Sequence, residues 1–517
     1  MTSHPDAASF DAIVIGSGIG GLACASALSR SGRRVLVLEQ HFVAGGLTQT
    51  FSREGFTWDV GLHYLGDMHQ GGGARRVLDW LADEAIHFSP TGAVYDTVHF
   101  PDGVEVQFPR TQAALKLELQ EQFPQSRAEL ESYFAAVEQA ARGGHALFAA
   151  RVMPGALVRA QALLHRGGIE RWWGRTTEAV LTELISDPRL RAILCAQRGD
   201  YGPDPRESSF GAHALVTHHY FDGAYYPVNG GKAFAEGLVP VIRSGGGEVR
   251  TRARVIEIVI EKGTVAGVRT RDGREWRCPV VCSDAGARNT VLNLLPAEWR
   301  ESPWACEVAS FRPAACHVAL YLGLQGDIRA LGASGSNHWY YDTWDLAGGI
   351  WQGPEKQPSA PAVFVSFPSL KQGQAGSRDG RHTADVIVFT DWELFRPWED
   401  SEIGRRPAEY RDLKQLIEQR LVEQFGRFFP ALTPLIAYRE VSTPLSTVAF
   451  TGAARGAGYG LEPSPRRFLS SGLRAQTPVP GLYLAGQDVA TVGIAGAMMG
   501  GMLAAAAIDP ALARHLS

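Results

Sequence analysis

The chain has 517 residues, 45% of them hydrophobic and 20% charged, enough to bury extensive cores and long enough for more than one structural domain. A formal net charge of −4 gives no basic field for nucleic acid, and the six cysteines, with no CxxC pair, form neither a disulfide framework nor a zinc pattern. Met1 to Asp6 lacks the basic start and apolar core of a signal peptide, and no run reaches the roughly 18 apolar residues of a membrane span; the expected location is the cytoplasm, with peripheral contact at a membrane surface.

The first predicted elements are an apolar strand, Asp11 to Ile15, a glycine turn through Gly16, Gly18, Gly20 and Gly21, and a helix from Leu22. A second β-rich run, Arg34 to Leu38, ends on Glu39, close to the roughly 20-residue separation of a dinucleotide-binding βαβ unit. Gly16 permits the tight turn, Gly18 lets the backbone approach a pyrophosphate, and Gly21 lets helix and strand pack, while the helix start attracts the anion. Glu39 is suited to a ribose hydroxyl and repels a 2′-phosphate. The chain then runs through Gln40 to a second glycine pair, Gly45 and Gly46, followed by Leu47. Such a pair so soon after the ribose acid is typical of proteins that hold FAD, and a plain glycine turn is the competing reading.

After Gly66 the periodicity reads as helices separated by loops, including a long helical region from about Thr111 to Ala150. The stretch Ala156 to His165, followed by Arg171, Trp172, Trp173 and Arg175, fits either a membrane-surface patch or ordinary domain packing, and packing is the preferred reading. From Tyr225, Tyr226 and Gly231 the chain re-enters an α/β-like stretch: a helix from Ala233 to Arg243, β-rich runs from Glu248 to Ile260 and Val265 to Thr270, and a run from Pro279 to Gly286. A second inserted section, about Glu301 to Arg439, carries strands at Cys316 to Leu322 and Ala362 to Ser366 and a helix near Leu413 to Phe425. At the carboxyl end, Gly481 to Asp488 is a strand delivering Gly486 and Asp488 to a cofactor, and a helix of small residues begins near Gly493 and Ile494. Asp488 suits a flavin ribityl hydroxyl, and the helix start can turn N–H groups toward the flavin.

The predicted fold is α/β: a Rossmann-like FAD-binding domain assembled from 8–70, 225–300 and 440–517, with an inserted α+β substrate domain from 71–224 and 301–439. The candidate cofactor-binding residues are Gly16, Gly18, Gly20, Gly21, Glu39, Gln40, Gly45, Gly46, Leu47, Val255, Gly486, Asp488, Gly493 and Ile494. FAD is expected to bind non-covalently, since no cysteine or histidine stands in an attachment motif. His213, His218 and His219 lack an acid or cysteine to complete a ligand pattern, so no metal is expected.

These segments, in this order, resemble the FAD-dependent amine-oxidase-like flavoproteins of the phytoene desaturase, carotenoid isomerase and retinol saturase branch, the saturases most closely. The resemblance rests on Glu39 to Gly46, Gly61 to Gly66, Tyr226 to Gly231, Arg455 to Gly460 and Leu473 to Asp488. Leu47 stands where many amine-oxidase-like enzymes carry arginine, which points to the saturase branch. The resemblance implies hydride movement between flavin N5 and a carbon of an apolar conjugated polyene, most simply saturating one double bond; isomerisation or desaturation is the alternative. A proton must reach the neighbouring carbon, and His63, Tyr64 and Tyr226 are the candidate catalytic residues. Electrons are expected from a donor protein or second substrate. Escort proteins that bind prenylated partners without flavin share the fold, but the intact glycines, Glu39 and Asp488 separate this chain from them.

Overall fold

A computed structural model describes residues 10–152, 167–202, 204–345, 349–372 and 379–516. Strand β1 (Ala12–Ile15), helix α1 (Ile19–Arg30) and strand β2 (Val35–Leu38) form the expected βαβ unit. Every residue of both strands is buried, as in parallel sheets covered on both faces. The sheet is five-stranded and wholly parallel, in the order Leu482–Leu484, Val281–Ser283, β1, β2, Glu248–Arg250. It therefore joins the beginning, middle and end of the chain. The carboxyl-terminal helix Gly493–Ile508 lies against α1, and this close approach needs small residues: a Cβ on Gly501 would run into the carbonyl of Gly20.

The β-rich run from Glu248 to Ile260 divides in two. Glu248–Arg250 joins the parallel sheet, while Val255–Glu261 pairs with Thr264–Thr270 in a separate antiparallel sheet completed by Glu275–Arg277. The chain turns between them at Arg252, whose φ is 58° and whose N–H donates to the His41 carbonyl at 2.8 Å.

The second large sheet has seven strands: Ile436–Ser442, Cys316–Gln325, Arg381–Thr390, Ala362–Ser366, Asn337–Tyr341, Val94–His99 and Glu105–Pro109. The expectation of helices after Gly66 missed the last two. They are short strands around Asp102 and Gly103, Glu105–Pro109 alternating buried and exposed and Val94–His99 buried along its middle, and Val94–His99 is held by parallel pairing with the remote Asn337–Tyr341, a contact local periodicity does not report. The long helix also divides, into Gln112–Gln122 and Arg127–Ala149, because Pro124 cannot continue it.

Alternate residues of the large sheet face opposite ways. Val318, Leu320, Leu322, Val386 and Val388 pack under helix Ala408–Phe428 through its Leu413, Ile417, Leu421 and Phe425. The alternating set, including Trp339, Phe364 and Asp385, lies on the other face. Trp172 and Trp173 are buried, the latter donating from Nε1 to the Ala140 carbonyl at 3.0 Å, as domain packing requires. Ala156 to His165 lies outside the described residues.

Candidate active site

The carboxyl ends of the parallel strands open into a cleft of about 1160 Å³, somewhat above the roughly 300–1,000 Å³ usual for ligand pockets. Of the sequence-predicted cofactor residues, Gly16, Gly18, Gly20, Glu39, Gln40, Gly45, Gly46, Leu47, Val255, Asp488, Gly493 and Ile494 all line it, although they come from four separate stretches of chain. Gly21 and Gly486 instead pack against Asp284, which itself borders the cleft.

Glu39 closes the loop beyond β1: one oxygen accepts from Ser17 N at 2.9 Å and Ser17 Oγ at 2.7 Å, the other from His41 N at 2.7 Å. Asp488 holds the far end, accepting from Ala287 N and Leu461 N, each at 2.8 Å. Arg467, fully buried, donates to the carbonyls of Leu461 and Gln487 and fixes the same corner. The donor set fits a dinucleotide. Neither α1 nor the helix starting at Gly493 is capped by the residue before it; Asp284 takes Gly21 N in the first turn of α1, which leaves the N–H groups of Ile19 and Gly20 and those at the start of the Gly493 helix for an anion or a polar ring edge. A Cβ on Gly493 would meet nothing within 4 Å, so this backbone faces open space.

Beyond the cleft lies the second face of the large sheet. His63 follows the cleft-lining Gly61, and its Nδ1 stands 3.4 Å from Asp385 Oδ2. Its ring lies edge-on to Phe364, with centroids 5.2 Å apart. Phe364 lines a narrow apolar pocket of about 50 Å³ together with Trp339, Tyr341, Val363, Ile387 and Phe389. Gly202 on the wall of that pocket touches Tyr459, which lines the cleft, so Tyr459 stands between the two spaces; His63 itself lines neither and reaches the pocket wall through Phe364. Burial raises the carboxyl of Asp385, opposed by His63 and Lys371, and burial lowers His317 to about 4, with the charge of His63 adding to the effect.

The structure does not bring Tyr64 and Tyr226 to the cleft. The Tyr64 hydroxyl lies between two carboxyls, 3.0 Å from Asp96 and 2.8 Å from Asp200, and Tyr226 donates to Asp59. Both belong to a buried network around Lys371, which donates to the His63 carbonyl at 2.8 Å, to Ser366 Oγ at 2.7 Å and to Asn337. Burial lowers the Lys371 ammonium to about 7 against the pull of Asp96, Asp385, Asp59 and Asp200, and burial raises Asp59 to about 7. His213 is explained by Tyr133 and Tyr201 at its two nitrogens, 2.9 and 3.1 Å away, and His219 accepts from Gly66 N at 2.8 Å.

Sequence reasoning missed Asp284 and Asp385. Each carried a signal: Asp284 ends the apolar run Val280 to Ser283, and Asp385 interrupts an otherwise apolar strand from Ala384 to Phe389.

Fold and cleft together define a dinucleotide-binding flavoprotein with an inserted sheet domain. Residues 19–321 match the family described as flavin containing amine oxidoreductase, and the chain belongs to it. It is 33% identical to the all-trans-retinol 13,14-reductase of Rattus norvegicus, covering 96% of this chain and 85% of that protein. It is 25% identical to the chloroplastic prolycopene isomerase of Arabidopsis thaliana, over 96% and 83% respectively. Among solved structures, cyclohexylamine oxidase from Brevibacterium oxydans superposes with a TM-score of 0.62 at 18% identity, covering 98% of this chain and 99% of that one, a likeness of fold.

Proposed function

We propose that this FAD-dependent oxidoreductase saturates one carbon–carbon double bond of a long, apolar, conjugated polyene of the retinoid or carotenoid kind. The carrying observation is the match to the retinol 13,14-reductase of Rattus norvegicus along 96% of the chain. The aromatic wall beside His63 and the cleft is its physical counterpart. FAD, when bound and reduced, would supply the hydride for one alkene carbon. Gly18 and the start of α1 would hold its pyrophosphate, Glu39 the ribose, and Gly46, Asp488 and Gly493 the flavin end. His63 delivers a proton to the adjacent carbon and recovers it from solvent, while Asp385, 3.4 Å from Nδ1, orients the imidazole. The aromatic walls align the substrate and exclude water. The 50 Å³ pocket takes only part of an elongated substrate, the remainder lying along the cleft.

FAD is held non-covalently in this reading, since among the described residues no cysteine lines the cleft. Acid precipitation should release the chromophore into the supernatant, and flavin retained in the pellet would contradict it. Electrons come from a donor protein. The cytoplasmic setting with contact at a membrane surface belongs to the same reading: no helix among the described residues is long and apolar enough to cross a membrane, and exposed Phe42 and Phe450 flank the cleft mouth.

Mass spectrometry decides the reaction. Chemically reduced enzyme incubated anaerobically with a panel of polyenes should give a product heavier by two hydrogens. Products of unchanged mass would establish isomerisation instead, the reading the Arabidopsis thaliana relative favours.

A further inference from the structure

Three carboxyl groups, Glu39, Asp284 and Asp488, border the cleft along the strand ends of the parallel sheet, and they are not equally provided for. Glu39 accepts three hydrogen bonds and Asp488 two from backbone N–H groups. Asp284 accepts one, from Gly21 N at 2.7 Å through Oδ2, and among the described residues no arginine, lysine or histidine pairs with it. It also stands where the anion must come. Built Cβ atoms on Gly18 and Gly20 would lie 2.8 Å and 2.6 Å from its two carboxyl oxygens, so the carboxyl presses on the backbone of the phosphate turn.

A pyrophosphate carries two negative charges. Set against that turn, it would face an ionised Asp284 to which no cation among the described residues is paired. A carboxylate left there repels the ligand, whereas a carboxylic acid keeps its bond to Gly21 N and offers a proton to a phosphate oxygen.

We infer that Asp284 is a proton-carrying contact of the cofactor site: the pyrophosphate group is taken up together with one proton, which Asp284 holds in a hydrogen bond to a phosphate oxygen. The inference rests on the FAD reading of the cleft. The step balances as carboxylate plus solvent proton plus FAD giving the acid–FAD complex, with no bond of the cofactor broken. The groups facing Asp284 are Glu39 from the end of β2, Asp488 from the strand Leu482–Leu484, and Cys282 on its own strand, backed by Cys24 of α1. All are acidic or neutral; Arg254, Arg271, Arg288, Arg406 and Arg455 line the same cleft, but none of them is among the charges acting on Asp284. Burial, followed by the charges of Asp488 and Glu39, already pushes the carboxyl up to about 7 before any phosphate is near.

The sign follows from linkage. Below about pH 7 the free site already carries the proton, and affinity is independent of pH. Above it the proton must be taken up, and the Kd for FAD rises by about tenfold per pH unit.

The test uses the purified full-length flavoprotein, diluted at pH 5.5 to 9, with released FAD read by its fluorescence. Calorimetric titration of FAD in buffers of differing ionisation enthalpy counts protons directly on unmodified protein. The expected result is a flat Kd below about pH 7, a rise of about tenfold per unit above it, and uptake approaching one proton at pH 8. D284N should bind as wild type does at low pH, with neither slope nor uptake. A wild-type Kd that stays flat to pH 9 with no proton uptake overturns the inference, as does a slope that persists in folded D284N. Folded protein that binds no FAD at any pH would instead sink the FAD reading itself.

Discussion

The residues that matter most here are acids placed where burial makes their partners decisive. Asp385 has the His63 imidazole as a close neighbour, Nδ1 standing 3.4 Å from Oδ2, and both of its buried oxygens are without a hydrogen-bond partner among the described residues. Removing its charge should leave the cofactor end untouched, because Glu39, Asp488 and the glycine turn hold that end. Asp385→Asn and His63→Gln should therefore lower turnover by about 10²-fold or more with flavin content unchanged, the range of general acid–base catalysis. If they act as one unit, the double variant should be no slower than the worse single one; additive losses in steady-state kinetics would show that they work separately. Lys371 tests a different property. It is the ammonium amid Asp59, Asp96, Asp200 and Asp385, and is fully buried. Lys371→Met leaves those acids facing one another and should cost about 3–5 kcal/mol, as breaking buried ion pairs does. Denaturant unfolding measures this, and an unchanged midpoint would mean that the acids are already neutral.

At the scale of elements, the cofactor site depends on two helix starts delivered by close packing. Helix Gly493–Ile508 reaches α1 only because Gly500 and Gly501 present no side chain to Gly486 and Gly20. Gly501→Val inserts bulk against backbone that cannot give way, and overpacking of this kind costs about 1–3 kcal/mol. It should also release flavin, since both helix starts move; thermal unfolding and the flavin-to-protein absorbance ratio would report the two effects. The elements that sequence reading placed correctly are those with strong local signals: the apolar runs of β1 and β2, the small-residue helix, and the long amphipathic helix Ala408–Phe428. Val94–His99 and Glu105–Pro109 escaped it because their stability comes from pairing with residues far away in sequence.

At the scale of the whole molecule, one parallel sheet supplies one glycine turn, and the proposed function assigns that turn to FAD. A tight site for a nicotinamide nucleotide has no second fingerprint to rest on. Stopped-flow mixing with NADPH or NADH should therefore show no fast, saturable bleaching of the flavin at micromolar nucleotide. Such bleaching would remove the need for a donor protein.

The division between sequence and tertiary structure follows from the range of the forces involved. The glycine spacing, Glu39 and the apolar runs specify a dinucleotide turn by themselves, because turn geometry and strand periodicity act over a few residues. So the cofactor class and the parallel βαβ core were legible in the sequence, and most of the predicted cofactor residues meet in one cleft. Partnership across the fold was not. Only tertiary structure sets Asp385 beside His63, seats Tyr64 and Tyr226 on buried acids, and presses Asp284 against the phosphate turn, since each contact joins residues more than 30 positions apart. Those long-range contacts fix which acids stay charged, because burial and hydrogen-bond donors, rather than residue type, set the stability of a carboxylate.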